Sequence, residues 1–363
     1  MPLPGNNPIE DIDTPALVID LDLLESNIAR MADFFSDKKA NLRPHTKTHK
    51  TPILAHKQIE AGAQGVTCAK LGEAEVMATA GIRDILVANQ VVGRIKINRL
   101  VALSRHTDII VAADDPNNVR EISDAAQTAG TKVNMIIEVD VGMQRCGVPP
   151  GEAALNLARV IDDHPGVTFR GIMGYEGHII GEPDNDIRYA ECRKSMTMLA
   201  DTADYIRKNG LPVELVSGGG TGTYNVTGTF PGLTEVQAGS YILMDSTYKK
   251  RIPEFDCALT VYATIVSRLG DELAVADAGL KTMTNDMGIQ SIRDVEGASL
   301  IRQSEEHVKI QLPGASCPIR PGDKIHIIPS HGCTTINLHD RFYGVRNGVV
   351  ETVWDIAARG KSQ

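Results

Sequence analysis

The sequence lacks a basic excess: 37 Lys and Arg stand against 46 Asp and Glu, a formal net charge of −9. A surface that tracks nucleic-acid phosphates needs the opposite balance and a basic stripe, so nucleic acid is excluded as a partner. Also missing is any apolar run near the roughly 18–20 residues that cross a bilayer, and no membrane association is expected. Its first residues, Met1 to Pro15, carry neither the basic n-region nor the apolar h-region of a signal peptide. A soluble, cytoplasmic protein is expected. The six cysteines (Cys68, Cys146, Cys192, Cys257, Cys317 and Cys333) have no paired spacing, which excludes a disulfide framework and makes reduced thiols the default. There is no low-complexity tract, no P-loop and no GxGxxG followed by a ribose-binding acid.

What is present is an ordinary globular balance, 42% hydrophobic and 23% charged, over 363 residues. From Asn41 onward, short strand-like runs alternate with helical patterns. The runs are 41–47, 65–68, 84–89, 108–112, 133–139, 169–175, 213–217 and 235–239. Continuous apolar strands between helices suit a parallel sheet covered on both faces. Eight such units predict an α/β fold of the (β/α)8, TIM-like barrel kind. After Cys257 the texture changes to strands without long helices: 259–266, 272–276, 307–310, 324–328, 342–346 and 349–354. Asn347-Gly348 between two of them is a hairpin signal. The expected domains are a barrel over residues 20–250 and a mostly antiparallel β domain from residues 1–19 plus 251–363. The strand Ala16–Asp20 is assigned to the second domain or its border.

In such a barrel the chemistry sits at the C-terminal ends of the strands. Lys47 ends the first, inside Arg43-Pro44-His45-Thr46-Lys47-Thr48-His49-Lys50. Its bland reading is a basic surface loop. The functional one is an amine tuned to form an imine with a carbonyl. Arg145 lies just past another strand and Tyr175 ends a third. Ser217-Gly218-Gly219-Gly220-Thr221-Gly222-Thr223-Tyr224 follows a fourth, and Gln237-Ala238-Gly239-Ser240-Tyr241 a fifth. Successive glycines let backbone N–H groups approach an anion, and late strands of a barrel commonly hold phosphate. A lysine and a phosphate cradle are the two anchors of pyridoxal phosphate. Arg145 is then placed toward the cofactor's phenolic oxygen, or in a structural ion pair, and Tyr175 near its pyridine.

A second constellation, His331-Gly332-Cys333, is read as an extended segment with both side chains on one face. Imidazole plus thiolate suits zinc, with manganese, and beyond these magnesium, as further candidates. Two protein ligands leave room for water and substrate. The plain alternative is a buried cysteine beside a surface histidine. His339 and Asp340 are either supporting groups or a polar turn.

Together these stretches, RPHTKTHK (43–50), GMQRCGV (142–148), SGGGTGTY (217–224), QAGSYILMD (237–245), DAGLK (277–281), HGCTTINLHD (331–340) and VWDIAARG (353–360), resemble the D-threonine aldolase and D-serine dehydratase family. The resemblance covers nearly the whole chain and implies an alanine-racemase-like barrel with pyridoxal phosphate bound covalently to Lys47. It implies phosphate contacts from Thr221, Gly222, Gly239 and Ser240 with Tyr248 nearby, and a divalent metal at His331 and Cys333. It further implies a homodimer in which the β domain of one subunit faces the other's barrel. The chain departs from the pattern in three places. His-x-Cys is the dehydratase form where the aldolases carry His-x-Asp. Ala69 stands where some aldolases have glutamine, and Gly181 stands where they have a histidine, which leaves His178 as the nearest candidate base.

The expected function is a metal-assisted pyridoxal phosphate lyase acting on a small D-3-hydroxy amino acid, by retro-aldol cleavage to glycine and an aldehyde. The alternatives are dehydration of D-serine or D-3-hydroxyaspartate to a 2-oxo acid, and amino-acid racemisation. A cofactor-carrier role is weighed against by the additional β domain.

Overall fold

The computed structural model describes residues 7–288 and 290–363. Residues 1–6, the start of the segment assigned to the β domain, and residue 289 lie outside them. The chain divides into two compact units. One comprises Met1–Arg30 (described from residue 7), Thr48–Ile53 and Ser240–Gly360; the other comprises Met31–Lys47, Leu54–Gly239 and Lys361–Gln363.

In the second unit eight parallel strands follow one another around a sheet: Asn41–Leu42, Val66–Cys68, Asp84–Gln90, Asp108–Ala113, Val133–Glu138, Val167–Gly174, Leu215–Gly218 and Glu235–Val236. The last pairs with the first, and a parallel bridge between His45 and Thr67 closes the ring. Side chains along a strand point alternately to its two faces, and here both faces are apolar. Leu86, Ile110, Ala112, Ile136, Met173 and Leu215 fill the inside of the barrel. Their neighbours Ile85, Val87, Ile109, Val111, Met135 and Ile137 point outward into a second core with Leu100, Ile122, Leu155 and Leu199 of the covering helices. Two of those helices start on a side-chain cap. Asp115 accepts from the N–H groups of Asn117 and Asn118 ahead of Pro116–Thr128, and Asp184 does the same for Asn185–Lys208. Arg207 and Lys208 end the latter, the favourable sign at a helix C-terminus.

The other unit holds the mostly antiparallel sheet. Ala16–Asp20 is no barrel strand: it lies between Leu259–Leu269, antiparallel, and Arg341–Arg346, parallel. Its Ala16 and Val18 pack with Ile12, Tyr262, Val345 and Val350. Asn347 and Gly348 both have positive φ, 51° and 73°, the two-residue turn whose twist matches the strands it joins. Two short strands, Ser291–Ile292 and Ser299–Gln303, have no counterpart in the sequence reading. Among the described residues no helix is long and apolar enough to cross a membrane.

Candidate functional site

The stretch around Lys47 is not a surface loop. From Leu42 to Lys50 every residue is buried except Lys47, which is partly exposed. Regular strand pairing ends at Leu42, and Lys47 sits in a turn two residues past the bridged His45 rather than on the strand itself. Pro44 has no N–H to give, yet its carbonyl accepts from Thr67, so the chain keeps its register up to the turn. His45 Nδ1 accepts from the Lys47 amide at 3.5 Å, and His49 Nδ1 from the Thr51 amide at 3.1 Å. Both histidines therefore shape the backbone on either side of the lysine.

Lys47 Nζ lies 5.6 Å from the centroid of the Tyr175 ring, and the Arg145 guanidinium lies 5.8 Å from the same centroid. Arg145 also pairs with the buried Glu138 at 3.5 Å, the ion pair that was the alternative to a place at the cofactor's phenolic oxygen. Gly220 also faces this ring: a Cβ there would stand 3.5 Å from Tyr175 Cε2.

The glycine-rich turn is held at both ends. At one end the fully buried Glu176 accepts a hydrogen bond from Thr223 Oγ1 at 2.5 Å, and Thr223 Oγ1 accepts from the Gly220 amide at 3.3 Å. At the other, the buried Arg188 donates to the Gly222 carbonyl at 3.2 Å. Gly219 has φ +72°, and a Cβ would meet Thr227 at 2.9 Å, so a side chain is excluded there. Thr221 is buried in the same turn. Gly239 is equally constrained, since a Cβ would come 2.4 Å from the His45 carbonyl oxygen. A lysine amine over an aromatic ring and a glycine-rich turn that admits no side chain at Gly219 fit the carbonyl, ring and phosphate of pyridoxal phosphate.

In the other unit, His331 and Cys333 do not lie on an extended segment. His331 is extended (φ −143°, ψ 125°) and caps a short helix, Gly332–Ile336, which places Cys333 in the first turn. The cause is Asp245, whose Oδ2 accepts from His331 Nδ1 at 3.2 Å and from the Gly332 amide at 3.1 Å, turning the backbone inward. Asp245 Oδ1 meanwhile caps Ser246–Arg251 through the amides of Thr247 and Tyr248. The ring of Tyr248 stands 6.5 Å from that of His331. Burial alone favours a neutral His331, but the Asp245 carboxylate and the Cys333 sulfur outweigh it and push the imidazole up to about 10. The Cys333 thiol donates to Thr48 Oγ1 at 3.4 Å.

Among the described residues no group of three or more His, Cys, Asp or Glu side chains is arranged to hold a metal ion. The donor set that fits one is the pair: a thiol, and an imidazole whose Nδ1–H is taken by a carboxylate, leaving Nε2 as ligand. Such a pair leaves open positions, the catalytic pattern. His339 and Asp340 do not support it; His339 Nε2 donates to the Thr282 carbonyl at 2.7 Å and Asp340 pairs with Arg359.

His178 is exposed on the turn Gly177–Ile179, its ring packed over Gly142. Ser240 opens the turn Ser240–Ile242 and is nearly buried. Asp245 and Glu176 were not singled out by sequence. Asp245 had a signal, an acid just before Ser246-Thr247 as helix caps require. Glu176 had none, because nothing local to it says that it is buried.

Residues 19–247 match the model of the alanine racemase N-terminal domain, and residues 258–345 that of a putative serine dehydratase domain. The chain is 36% identical to D-threonine aldolase of Arthrobacter sp, covering 100% of this chain and 97% of the relative. It is 37% identical to 3-hydroxy-D-aspartate aldolase of Paracoccus denitrificans (strain Pd 1222), covering 99% and 95%. The crystal structure of D-threonine aldolase from Filomicrobium marinum superposes with a TM-score of 0.96 at 38% identity, covering 99% of each chain.

Proposed function

The chain belongs to the D-threonine aldolase family, and from that premise we propose that it is a pyridoxal phosphate- and divalent-metal-dependent lyase. Its reaction is cleavage of D-3-hydroxy amino acids to glycine and an aldehyde. The observation that carries the proposal is end-to-end likeness to two aldolases, in a chain whose own residues fit both groups. When bound, pyridoxal phosphate supplies an electron sink for a carbanion at Cα, and a divalent metal supplies acidity to a hydroxyl.

The chain's own residues have distinct tasks. Lys47 would hold the cofactor at its carbonyl carbon, leaving an amine there to move protons when the substrate amine is bound. Tyr175 and Arg145 would orient the ring, and Thr221, Gly222 and Gly239 would receive the phosphate. Ser240 and Tyr248 are assigned to cofactor binding. His331 and Cys333 are assigned to zinc or manganese, with Asp245 fixing the imidazole. His178 is assigned to take the β-hydroxyl proton at a ring nitrogen. The protein is further proposed to work as a homodimer in the cytoplasm; all six cysteines are free thiols.

Dehydration to a 2-oxo acid is the second reading, favoured by Cys333 at the metal position and by the serine dehydratase match over residues 258–345. Incubating the chain, loaded with cofactor and with manganese or zinc, with D-threonine, D-serine and D-3-hydroxyaspartate separates the two. Aldehyde with glycine is expected. Ammonia with a 2-oxo acid supports the second reading, and activity that survives full chelation contradicts both.

A further inference from the structure

Glu176 is buried beside the glycine-rich turn and has no partner on one oxygen. Its Oε1 accepts from Thr223 Oγ1 at 2.5 Å and from the Cys192 thiol at 3.7 Å, and the Gly219 amide acts on the same carboxyl. Among the described residues Oε2 has no hydrogen-bond partner. Thr223 Oγ1, in turn, accepts from the Gly220 amide at 3.3 Å. One carboxyl therefore reaches the Gly220 amide through the Thr223 hydroxyl and stands beside the amide of Gly219. The same residue follows Tyr175 in the chain, so the aromatic platform and the phosphate turn share one anchor.

We propose that Glu176 is a positioning residue for phosphate: it locks Gly219–Thr223 in the one conformation that receives a phosphate monoester. The inference rests on the cofactor assignment above and goes beyond it, because Glu176 touches neither cofactor nor substrate. A carboxylate behind an anion site ordinarily repels the anion. Burial answers this, since it raises the Glu176 pKa against the opposing hydrogen bonds from Thr223 and Gly219 and favours the uncharged acid. An uncharged acid accepts the same hydrogen bonds and leaves the field of the turn positive. Among the described residues, the groups that act most on this carboxyl are the amides of Glu176 and Gly219, the Thr223 hydroxyl and the Cys192 thiol.

The test compares the wild-type chain with Glu176→Gln, Glu176→Leu and Thr223→Val, each stripped of cofactor and titrated by absorbance. Pyridoxal phosphate is one probe and pyridoxal, which lacks the phosphate, the other. Glu176→Leu and Thr223→Val are expected to weaken pyridoxal phosphate by about tenfold or more, the equivalent of one or two displaced hydrogen bonds. Pyridoxal binding is expected to stay unchanged, and Glu176→Gln, which keeps the acceptor oxygen, to match wild type. Equal losses for both probes would reduce Glu176 to a merely structural residue and overturn the proposal. Glu176→Gln as weak as Glu176→Leu would overturn it as well. If Glu176→Leu does not fold, Thr223→Val decides: selective loss of the phosphorylated probe supports the proposal, and unchanged binding overturns it. A wild-type chain that takes up neither probe defeats the cofactor assignment itself, and this inference with it.

Discussion

Asp245 grips His331 through the ring's Nδ1 at 3.2 Å and the amide of the next residue, Gly332, at 3.1 Å, using one oxygen for both. Its other oxygen caps the following helix turn through Thr247 and Tyr248. A single carboxylate thus fixes the tautomer, the ring direction and the backbone angle of the assigned metal ligand.

Asp245→Asn keeps the shape but replaces a full negative charge. Metal affinity, measured by competition with a chelator, should fall roughly 10–100-fold, as for other groups that orient metal-bound histidines. Cofactor absorbance should survive, since Lys47 and the glycine-rich turn are untouched.

Arg43 is buried, donating from Nε to the equally buried Glu235 at 2.9 Å and pairing with Asp84. Removing Arg43 leaves Glu235 charged with no counter-ion. Arg43→Met should destabilise the protein by about 3–5 kcal/mol, read from denaturant unfolding. Asp84, a third exposed, contributes less to that loss.

Gly239→Ala drives a methyl group against the His45 carbonyl oxygen, 2.4 Å from where Cβ would stand. Two strands of the barrel then have to part just before Lys47. A stability loss of about 1–3 kcal/mol is expected, together with weaker cofactor uptake.

Glu176 gives a pH signature. Its folded pKa is raised by burial from the ordinary 4.5, so the folded state keeps a proton that the unfolded state has released. Stability contributed by this group is present below 4.5 and is lost as pH rises through the folded value. The neighbouring Cys192 thiol, pushed up to about 12 chiefly by burial, stays protonated throughout. Glu176→Gln carries no such proton. Its melting temperature relative to wild type should therefore climb as pH is raised above 4.5; parallel profiles would show that Glu176 is not held as the acid.

Much of this was legible in the sequence because it is written locally. The longer barrel strands, such as Asp108–Ala113 and Val133–Glu138, announce themselves as apolar runs, and Asn347-Gly348 announces its turn. Lys47 and the glycines of 218–222 were legible by chemistry, as the residue types an imine and a phosphate require. The short helix at Gly332–Ile336 was not, because it is imposed by Asp245, 86 residues away. Nor was the burial of the Arg43–Lys50 stretch, whose charged letters read as surface until Glu235 and Asp84 come into place. Ser299–Gln303 is largely exposed and carries no alternating pattern to reveal it as a strand.

The most direct measurement of the central claim is the product balance from D-threonine, with the chain loaded with pyridoxal phosphate and manganese. Glycine and acetaldehyde in equal amounts, abolished by Lys47→Ala together with the cofactor's absorbance band, is the predicted result. Ammonia and 2-oxobutyrate in their place, or glycine formation undiminished in Lys47→Ala, would contradict it.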